Sequence, residues 1–466
     1  MDQMAKRFVH SWSERQKTQH TIEELKDWIL TRNRTTAVQI EKTVMKEDEF
    51  WYYHEKEGCI RNRKGSFFSI TGLQQIRKDE VIFEQPIIIQ DEIGYLGILC
   101  KEIEGVLHLL MQAKIEPGNI NNVQISPTIQ ATRSNFTQQH GGKRPDYLDY
   151  FLEAEKHHIV VDQIQSEQSS RFFHKRNRNI IVYLDPQVDI PVLENFRWMT
   201  LGQLKELMKE DNLVNMDTRT VISCIPYAMW ELSSEGKAEL RTWFRDQTLY
   251  ASLFERSGRN DLVPVYRYIN NQKMFCEKRT RIVPLDDLQH WQRTPEGVFC
   301  REAAAYQVIY CDIAIEGREV QHWKQPLFEA RGRATFGLFT RVNENGRREF
   351  LVCGREEIGC FDLMELGPTV QMEATDQDAG RNSVEQLFLK KYKSGAGVMK
   401  NVVLSEEGGR FYHEENRNLI IEIEHGELQQ LPEGYFWLDF YTLNLLTQIN
   451  NCLNIQLRNL LSLLDI

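Results

Sequence analysis

One predicted strand, residues 106–116, carries the residue types of acid–base chemistry. Side chains alternate between the two faces of a strand, so one face is apolar and consists of Leu107, Leu109, Met111, Ala113 and Ile115. Besides Leu110, the other face carries a base, an amide, an ammonium group and a carboxyl group, from His108, Gln112, Lys114 and Glu116. Such a row is typical of the wall of a polar site where protons move. A solvent-facing sheet with a Lys114–Glu116 ion pair is the alternative interpretation.

The segment VQISPTIQATRSNF (123–136) is rich in hydroxyl and amide groups on predicted extended backbone. Such groups bind a sugar or a nucleobase, and an arginine can hold a phosphate through two hydrogen bonds. The substrate-binding candidates here are Thr128, Gln130, Arg133, Ser134 and Asn135. An edge strand followed by a turn is the alternative interpretation.

Further along, RFFHKRNRNIIV (171–182) places four cations within eight residues of an otherwise acidic chain. That density of positive charge suits a diphosphate, and Arg171, His174 and Arg178 are the binding candidates. A charged hairpin with Asn-Arg-Asn as its turn is the alternative. Nearby, DYLDYF offers Tyr147 as a stacking or acid–base group.

The chain repeats itself over a long distance. SEQSSRFFHKRNRN (166–179) returns as SEEGGRFYHEENRN (405–418), with eight of 14 positions identical. Other pairs keep offsets of 239 to 241 residues: Gln85-Pro86 with Gln325-Pro326, SPTIQ (126–130) with GPTVQ (367–371), and NLVNMDTR (212–219) with NCLNIQLR (451–458). Solenoid repeats are much shorter, so the pattern indicates duplication of a whole domain.

The repeat predicts four regions: a helical lead-in at 1–49, a first module at 50–230, a charged connector at 231–289 and a diverged second module at 290–466. The stretches TIEELKDWILTRN and MTLGQLKELMKEDN have capping-box spacing and one apolar face, which predicts helices. FFSITGL, PIIIQ, YLGILCKEI, VLHLLMQAKI and NIIVYL are typical strands. Because strands outnumber helices without regular alternation, the predicted class is α+β.

Composition excludes several classes of protein. A net charge of −10 disfavours non-specific nucleic-acid binding, and no apolar run reaches membrane-spanning length. Nine scattered cysteines without a CxxC pair favour a reducing cytoplasm and predict no metal site. There is no GxGxxG after a predicted strand and no GxxxxGK[ST] phosphate loop.

At this point the sequence resembles a known family. QPIIIQDEIGYLGILCKEIEGVLHLLMQAKIEPGNINNVQISPTIQATRSNFT, IQSEQSSRFFHKRNRNIIV and TLGQLKELMKEDNLVNMDTRTVISCIP are similar to the signature blocks of the NDP-hexose 2,3-dehydratases of deoxysugar biosynthesis. The resemblance covers nearly the whole chain and includes the duplication. It implies that each half has a Nudix-hydrolase-like fold that lacks the Glu-rich metal box.

The resemblance also implies an activity. Such enzymes are usually homodimers that remove water across C2–C3 of a dTDP-4-keto-6-deoxyglucose. The unstable 3,4-diketo product passes to a 3-ketoreductase or an aminotransferase. The chemistry needs a base for H3, a donor for the O4 enolate and an acid for the C2 hydroxyl, but no redox cofactor. By residue type we assign Glu116 or His108 as base or acid, Lys114 and Gln112 as enolate donors, and Arg133, Arg171 and Arg178 as diphosphate ligands.

The second copy departs from the family pattern. Its strand EFLVCGREEIG keeps a cation and a carboxyl group as Arg355 and Glu357 but loses the histidine and the amide, and Arg133 has no counterpart. Catalysis is therefore predicted in the first copy, and the second copy is predicted to hold an anionic ligand weakly or not at all. The alternative functions are a nucleotide-sugar pyrophosphohydrolase and a non-catalytic nucleotide-sugar binding protein.

Overall fold

The computed structural model describes residues 2–16, 18–46, 49–136, 144–255, 262–316, 320–376 and 381–466. The side chains of Asp2 and Asn135 lie outside this description. The fold is α+β, as predicted, with mixed sheets and helices in both halves. Within the described ranges, no helix combines the length and apolarity needed to cross a membrane.

The helices alternate unevenly with the strands along the chain. They are α1 (Asp2–Ser13), α2 (Ile22–Thr35), α3 (Arg133–Phe136), α4 (Leu148–Leu152), α5 (Leu201–Leu207), α6 (Met216–Ser223), α7 (Ser234–Trp243), α8 (Gln247–Phe254), α9 (Val263–Met274), α10 (Ser383–Ser394), α11 (Phe440–Thr447) and α12 (Ile455–Ser462). The strands of the first half are β1 (Val38–Thr43), β2 (Trp51–His54), β3 (Cys59–Asn62), β4 (Ser69–Arg77), β5 (Glu80–Ile89), β6 (Gly94–Ile103), β7 (Val106–Ile115), β8 (Val123–Ser126), β9 (Ile129–Ala131), β10 (His158–Ser166), β11 (Phe172–Phe173), β12 (Arg176–Leu184) and β13 (Phe196–Met199). Those of the second half are β14 (Lys278–Val283), β15 (Trp291–Thr294), β16 (Gly297–Cys300), β17 (Tyr306–Ile315), β18 (His322–Ala330), β19 (Thr335–Val342), β20 (Arg348–Glu356), β21 (Met364–Gly367), β22 (Val370–Met372), β23 (Val398–Ser405), β24 (Phe411–Tyr412), β25 (Glu415–Glu422) and β26 (Tyr435–Asp439).

Each half contains the same two sheets. In the first half, sheet 1 runs β11-β5-β4-β3-β2, and sheet 2 runs β10-β12-β6-β7-β13 with β8 and β9 attached. In the second half, sheet 3 runs β24-β18-β17-β16-β15, and sheet 4 runs β23-β25-β19-β20-β21 with β22 and β26 attached. The strand orders correspond one to one, which is the structural form of the sequence repeat.

The two halves exchange a strand. β1, from the predicted lead-in, pairs antiparallel with β17 of sheet 3, and Val38 lies opposite Ile315. Its counterpart β14, from the predicted connector, pairs antiparallel with β4 of sheet 1, and Lys278 lies opposite Arg77. The lead-in and the connector therefore complete a sheet of the opposite half.

Local sequence signals correspond to the observed elements. Thr21 and Thr200 form capping boxes with Glu24 and Gln203 at the starts of α2 and α5, as predicted. The predicted apolar face of β7 is confirmed, because Leu107, Leu109, Met111 and Ala113 lie in the main core and Ile115 packs against it. The alternative of an Asn-Arg-Asn hairpin turn is wrong, since residues 177–179 lie inside β12, where neighbouring strands satisfy their backbone groups.

Two buried arginines join the halves at the centre. Arg219 on α6 donates to Val214 O (2.7 Å) and to Ser405 O of the other half (2.7 Å). Arg458 on α12 repeats the arrangement, donating to Leu453 O (3.2 Å) and to Ser166 O. Because α6 and α12 also pack against each other, the repeated segments at 166 and 405 are fixed from the opposite module.

Candidate active site

A cavity of about 480 Å³, here called cavity 1, opens where β7 and β9 of sheet 2 meet segments of the second half. Cavities of this size accommodate small-molecule ligands. The second half contributes side chains from β18 and from the loop at 407–410. Trp51, Phe67, Tyr95 and Trp323 supply aromatic surface to its wall.

The floor of cavity 1 is a fixed row of polar groups. Glu116 accepts a hydrogen bond from Gln130 Nε2 (2.9 Å), and Asn215 Nδ2 donates to Gln130 Oε1 (3.1 Å). Lys114 Nζ donates to Gln130 O (3.2 Å) and lies 3.8 Å from the Glu116 carboxylate. Since these bonds orient the Glu116 carboxylate and the Lys114 ammonium group, the floor is preorganised to bind or move a proton on a ligand.

A loop from the second half closes this floor. Gly118 N donates to Gly408 O (2.7 Å), and His413 N donates to Gly118 O (2.8 Å). These contacts carry Arg410 into cavity 1, where its guanidinium lies 4.2 Å from the centre of the Phe67 ring. Cavity 1 is therefore built from both copies of the repeat.

Four charged groups surround the floor: Glu167, Lys175 and Asp217 are buried, and Glu407 is half-buried. Burial raises the pKa of the Glu167 carboxyl and raises that of Glu407 to about 7. Burial, followed by the negative charges of Glu167, Glu116 and Glu407, raises the pKa of Asp217 well above its usual value. Burial lowers the pKa of Lys175 to about 8, and its ammonium group donates to Glu92 O.

A second cavity of about 650 Å³, cavity 2, occupies the equivalent place in the other half. Glu357 of its lining repeats the hydrogen bonds of the cavity 1 floor, because Gln371 Nε2 donates to Glu357 (2.8 Å) and Asn454 Nδ2 donates to Gln371 Oε1 (3.1 Å). Burial raises the pKa of Glu357 to about 7. The scaffold is thus duplicated along with the fold.

Arg171 belongs to cavity 2, because the first half's loop crosses over in the same way. Gly359 N donates to Ser169 O (2.9 Å), and the Arg171 guanidinium lies 4.2 Å from the centre of the Tyr306 ring. Its Nη2 atom lies 3.3 Å from Glu373 and 3.8 Å from Glu414. Two carboxylates therefore compensate this buried cation. In cavity 1, Thr132 stands at the position equivalent to Glu373, and Lys175 stands at the position equivalent to Glu414.

The two cavities differ most in charge. Among the described residues, cavity 1 is lined by five cations and four carboxyl groups, and cavity 2 by two cations and six carboxyl groups. The cations of cavity 1 are Lys64, Lys114, Lys175, Lys324 and Arg410. An anionic ligand is therefore favoured in cavity 1 and opposed in cavity 2.

Comparison with known proteins gives the family. The family model described as NDP-hexose 2,3-dehydratase matches residues 22–225 and again 262–464. The chain belongs to the NDP-hexose 2,3-dehydratase family. It is 36% identical over 439 residues to the dTDP-4-dehydro-6-deoxy-alpha-D-glucopyranose 2,3-dehydratase of Saccharopolyspora spinosa, covering 93% of this chain and 89% of that protein. A Streptomyces violaceoruber protein of the same name is also 36% identical, over 440 residues, with 93% and 95% coverage.

This membership confirms the resemblance drawn from the sequence, and the twofold match confirms a duplicated family domain. The matched ranges begin at α2 and just before α9, so they include the exchanged strands β1 and β14. The module boundaries at 50 and 290 stay a prediction.

Four of the predicted site residues of this dehydratase family member lie together in cavity 1: Lys114, Glu116, Gln130 and Ser134. Ser134 Oγ donates to Glu92 Oε2 (2.9 Å) at the cavity wall. The polar face of β7 is therefore used at its carboxyl end, beside the second-half loop. The role of each residue stays a prediction.

Other predicted residues lie elsewhere. His108 is buried at the far end of β7, with its Nδ1 atom 2.9 Å from Val106 O, and burial lowers its pKa. Gln112, beside Phe196 of β13, is not part of the cavity 1 lining. Thr128 donates to Leu110 O (2.5 Å) and accepts from Leu99 N (2.9 Å), a structural link that Thr369 repeats in the second half.

The remaining binding candidates are also outside cavity 1. Arg178 forms two hydrogen bonds of 2.6 Å with Asp162, and Tyr147 OH donates to Pro191 O (2.7 Å). His174 stacks on Phe173, and Arg133 is exposed at the start of α3. The side chain of Asn135 lies outside the described part of the chain, and Arg171 lies in cavity 2 as described above.

Sequence reasoning missed most of the charged cluster, although the repeat contained a signal for it. Asp217 aligns with Gln456, Glu407 with Gln168, and Lys175 with Glu414. These are positions where otherwise similar segments differ in charge. Of the three, only Lys175 belongs to a segment that the sequence predicts to bind an anion, the cationic stretch 171–182. Asp217 and Glu407 could not be predicted, because the exchange of loops between the halves has no local sequence pattern.

Proposed function

We propose that the protein removes water across C2–C3 of a dTDP-4-keto-6-deoxy-hexose and that the reaction occurs in cavity 1. The product would be a 3,4-diketo-2,6-dideoxy sugar nucleotide. Family membership and the names of the relatives support the reaction and the substrate. The observation that supports cavity 1 is its contrast with cavity 2, since the two share a scaffold but only the first combines floor carboxylates with an excess of cations among its described lining.

The reaction assigns roles to the floor of cavity 1. The C4 ketone makes H3 acidic, so a base must take that proton while a donor stabilises the negative charge on O4. Glu116 is the candidate base, because Gln130 and Lys114 fix the position of its carboxylate. The Lys114 ammonium group is the candidate donor to the O4 enolate.

The remaining lining suits the nucleotide. Arg410, Lys175 and Lys64 give the diphosphate a positive environment, and an arginine forms bidentate bonds with phosphate oxygens. The sequence predicted Arg171 as a diphosphate ligand, but Arg171 lies in cavity 2 beside two carboxylates. We therefore assign the diphosphate to Arg410. The half-buried Trp323 offers a flat surface on which a thymine base can stack.

Several wider expectations belong to the same proposal. We infer that each half is Nudix-like without the metal box, that the enzyme acts as a homodimer in the cytoplasm, and that cavity 2 binds an anionic ligand weakly or not at all. An unstable diketone would be handed directly to a 3-ketoreductase or an aminotransferase.

The test compares equivalent glutamates of the two cavities. With dTDP-4-keto-6-deoxyglucose, a 3-ketoreductase and NADPH in D₂O, the wild type should form a 2-deoxy sugar with deuterium at C2. Loss of the base in Glu116→Gln should lower turnover by about 10³-fold, within the range for general base catalysis. Glu357→Gln, the matched control in cavity 2, should remain within about threefold of wild type, the small effect expected of a residue that does not contact the reacting atoms.

Three results would contradict the proposal. Equal losses in both variants would place the reaction outside cavity 1. Release of dTMP with Mg²⁺ would indicate a pyrophosphohydrolase. Thermal stabilisation by the substrate without any turnover would indicate a binding protein.

A further inference from the structure

Two enclosed carboxyl groups, one from each module, face the floor of cavity 1. Asp217 lies in the first turn of α6 and is 2% exposed, and Glu407 lies in the loop after β23. Gly409 N donates to Glu407 Oε1 (3.1 Å), which fixes the orientation of that carboxyl group. Among the described residues, Asp217 Oδ1 and Glu407 Oε2 have no hydrogen-bond partner. Both residues line cavity 1, and each has a buried carboxyl oxygen that no described group bonds.

The surrounding charges keep a proton in this region. The groups that act on Asp217 and Glu407 are the carboxyls of Glu116 and Glu167 and the cations Lys114, Lys175 and Arg410. Four carboxyl groups in one low-dielectric pocket cannot all be ionised at low cost, because like charges and burial both favour the neutral form. Consistently, the pKa of Glu407 is raised to about 7 and that of Asp217 is raised well above its usual value.

The proposed dehydration needs such a proton twice. When the base removes H3, the C3–H electron pair forms a C3=C4 bond and the negative charge moves to O4, which gives an enolate. As the C4 ketone re-forms, the C3=C4 pair becomes the C2=C3 bond and the C2–O bond breaks, so the departing hydroxyl must receive a proton to leave as water. The resulting enol at C3 then loses its hydroxyl proton and gains a proton at C2, which gives the second ketone. A general acid near C2 serves the first of these steps and, once reprotonated, the last.

We propose that Asp217 and Glu407 form the acid pair that protonates the departing C2 hydroxyl and then carbon C2. This assignment rests on the proposed dehydratase function and makes catalysis depend on a residue of the second module. Gln456 and Gln168 stand at the equivalent positions of the sequence repeat, so the lining of cavity 2 has a carboxyl group at the base position, Glu357, but no counterpart of the acid pair among its described residues. The same glutamines show that an amide is compatible with the local fold at both places.

The experiment separates proton removal from elimination. Asp217→Asn, Glu407→Gln and the double variant are incubated with dTDP-4-keto-6-deoxyglucose in D₂O. NMR follows deuterium entry at C3 of the remaining substrate, and the coupled reductase assay follows the 2-deoxy product. Because the base is intact, exchange at C3 should stay within about tenfold of wild type, whereas product formation should fall by about 10² to 10⁴-fold, the range for general acid catalysis.

Controls distinguish this idea from the proposed function itself. Glu357→Gln removes from cavity 2 a carboxyl group whose pKa desolvation also raises to about 7, and it should change neither readout. In wild-type single turnovers, the elimination rate should fall as pH rises through about 7, since the acid form of Glu407 is then lost. A wild type with neither exchange nor product would overturn the dehydratase proposal.

The acid-pair assignment fails on other results. Near wild-type product formation in Asp217→Asn and in Glu407→Gln would refute it. So would equal losses of exchange and product, which indicate a structural or base role. Circular dichroism and dTDP binding confirm that each variant is folded before these rates are compared.

Discussion

Gly118 connects the interlocked architecture to catalysis, and Gly118→Ala perturbs that connection directly. A Cβ atom on Gly118 would lie 1.5 Å from Phe411 O and 2.8 Å from Gly408 O, both backbone atoms of the opposite half. An ordinary carbon–oxygen contact is roughly 3.5 Å, so the two loops must separate by about 2 Å. The bonds from Gly118 N to Gly408 O and from His413 N to Gly118 O then break.

The expected magnitude follows from these distances. Two lost hydrogen bonds at about 1 kcal/mol each, with further cost where buried groups stay unpaired, predict a loss of roughly 2 to 4 kcal/mol in unfolding free energy. The effect on turnover should be larger, because Glu116 precedes Gly118 by two residues while Arg410 precedes Phe411. A displacement of about 1 Å at a catalytic group can cost about 10²-fold in rate, so at least that loss is expected.

The assay measures urea unfolding and turnover on the same preparations. Gly426→Ala is the control, because a Cβ atom there meets nothing within 4 Å. It should leave both quantities near wild type. A Gly118→Ala enzyme with wild-type stability and turnover would refute the close packing of the two loops. A variant that loses stability but keeps full turnover would show that Arg410 and the second-half loop have no part in the site.

Two further predictions test charges. Lys175→Met should weaken dTDP binding, measured by calorimetry, by about tenfold or more, as expected for loss of a charge-assisted contact, and should reduce the salt dependence of binding. Arg176→Met is the control, because Arg176 is adjacent but lies outside the cavity 1 lining, and it should change neither quantity. Equal effects of the two variants would show that Lys175 is not part of the diphosphate site. Burial lowers the pKa of Lys205 from 10.5 to about 7 in the folded protein, so between these values the unfolded chain binds more protons and stability should rise with pH. In urea unfolding of Lys205→Met, this rise of the unfolding free energy between pH 7 and 9.5 should disappear. An unchanged pH dependence would contradict the lowered pKa.

The sequence was most informative where a signal is local. The alternation in 106–116 predicts the apolar face of β7, and threonine–glutamate or threonine–glutamine spacing predicts the starts of α2 and α5. These features depend only on neighbouring residues and on the period of the element. The repeat likewise revealed the duplication, because it is a direct comparison of the chain with itself.

The assignment of residues to cavities was not local and could not be predicted in the same way. Arg171 precedes β12 of its own half, yet its loop docks on Gly359 and its side chain enters cavity 2. The hydrophobic alternation and the turn residues of this segment are compatible with a loop that packs on its own half and equally with one that packs on the other half. The choice is made by buried contacts such as Arg458 with Ser166 O, which join residues 292 apart in sequence.

This exchange of loops changes how the charge differences between SEQSSRFFHKRNRN and SEEGGRFYHEENRN are interpreted. The Glu414 carboxylate lies beside the buried Arg171 guanidinium of the other half and compensates its positive charge. The effect of Glu414 on a ligand therefore depends on a residue of the first copy. In return, the second copy supplies Glu407 and Arg410 to cavity 1, where Lys175 stands in place of a glutamate. Each cavity is therefore built from residues of both copies, so a substitution in one copy can act on the cavity of the other half. The second module lacks the proposed acid pair but retains the hydrogen bonds of Gln371 with Glu357 and Asn454, and its loop is part of cavity 1, where we propose the reaction occurs.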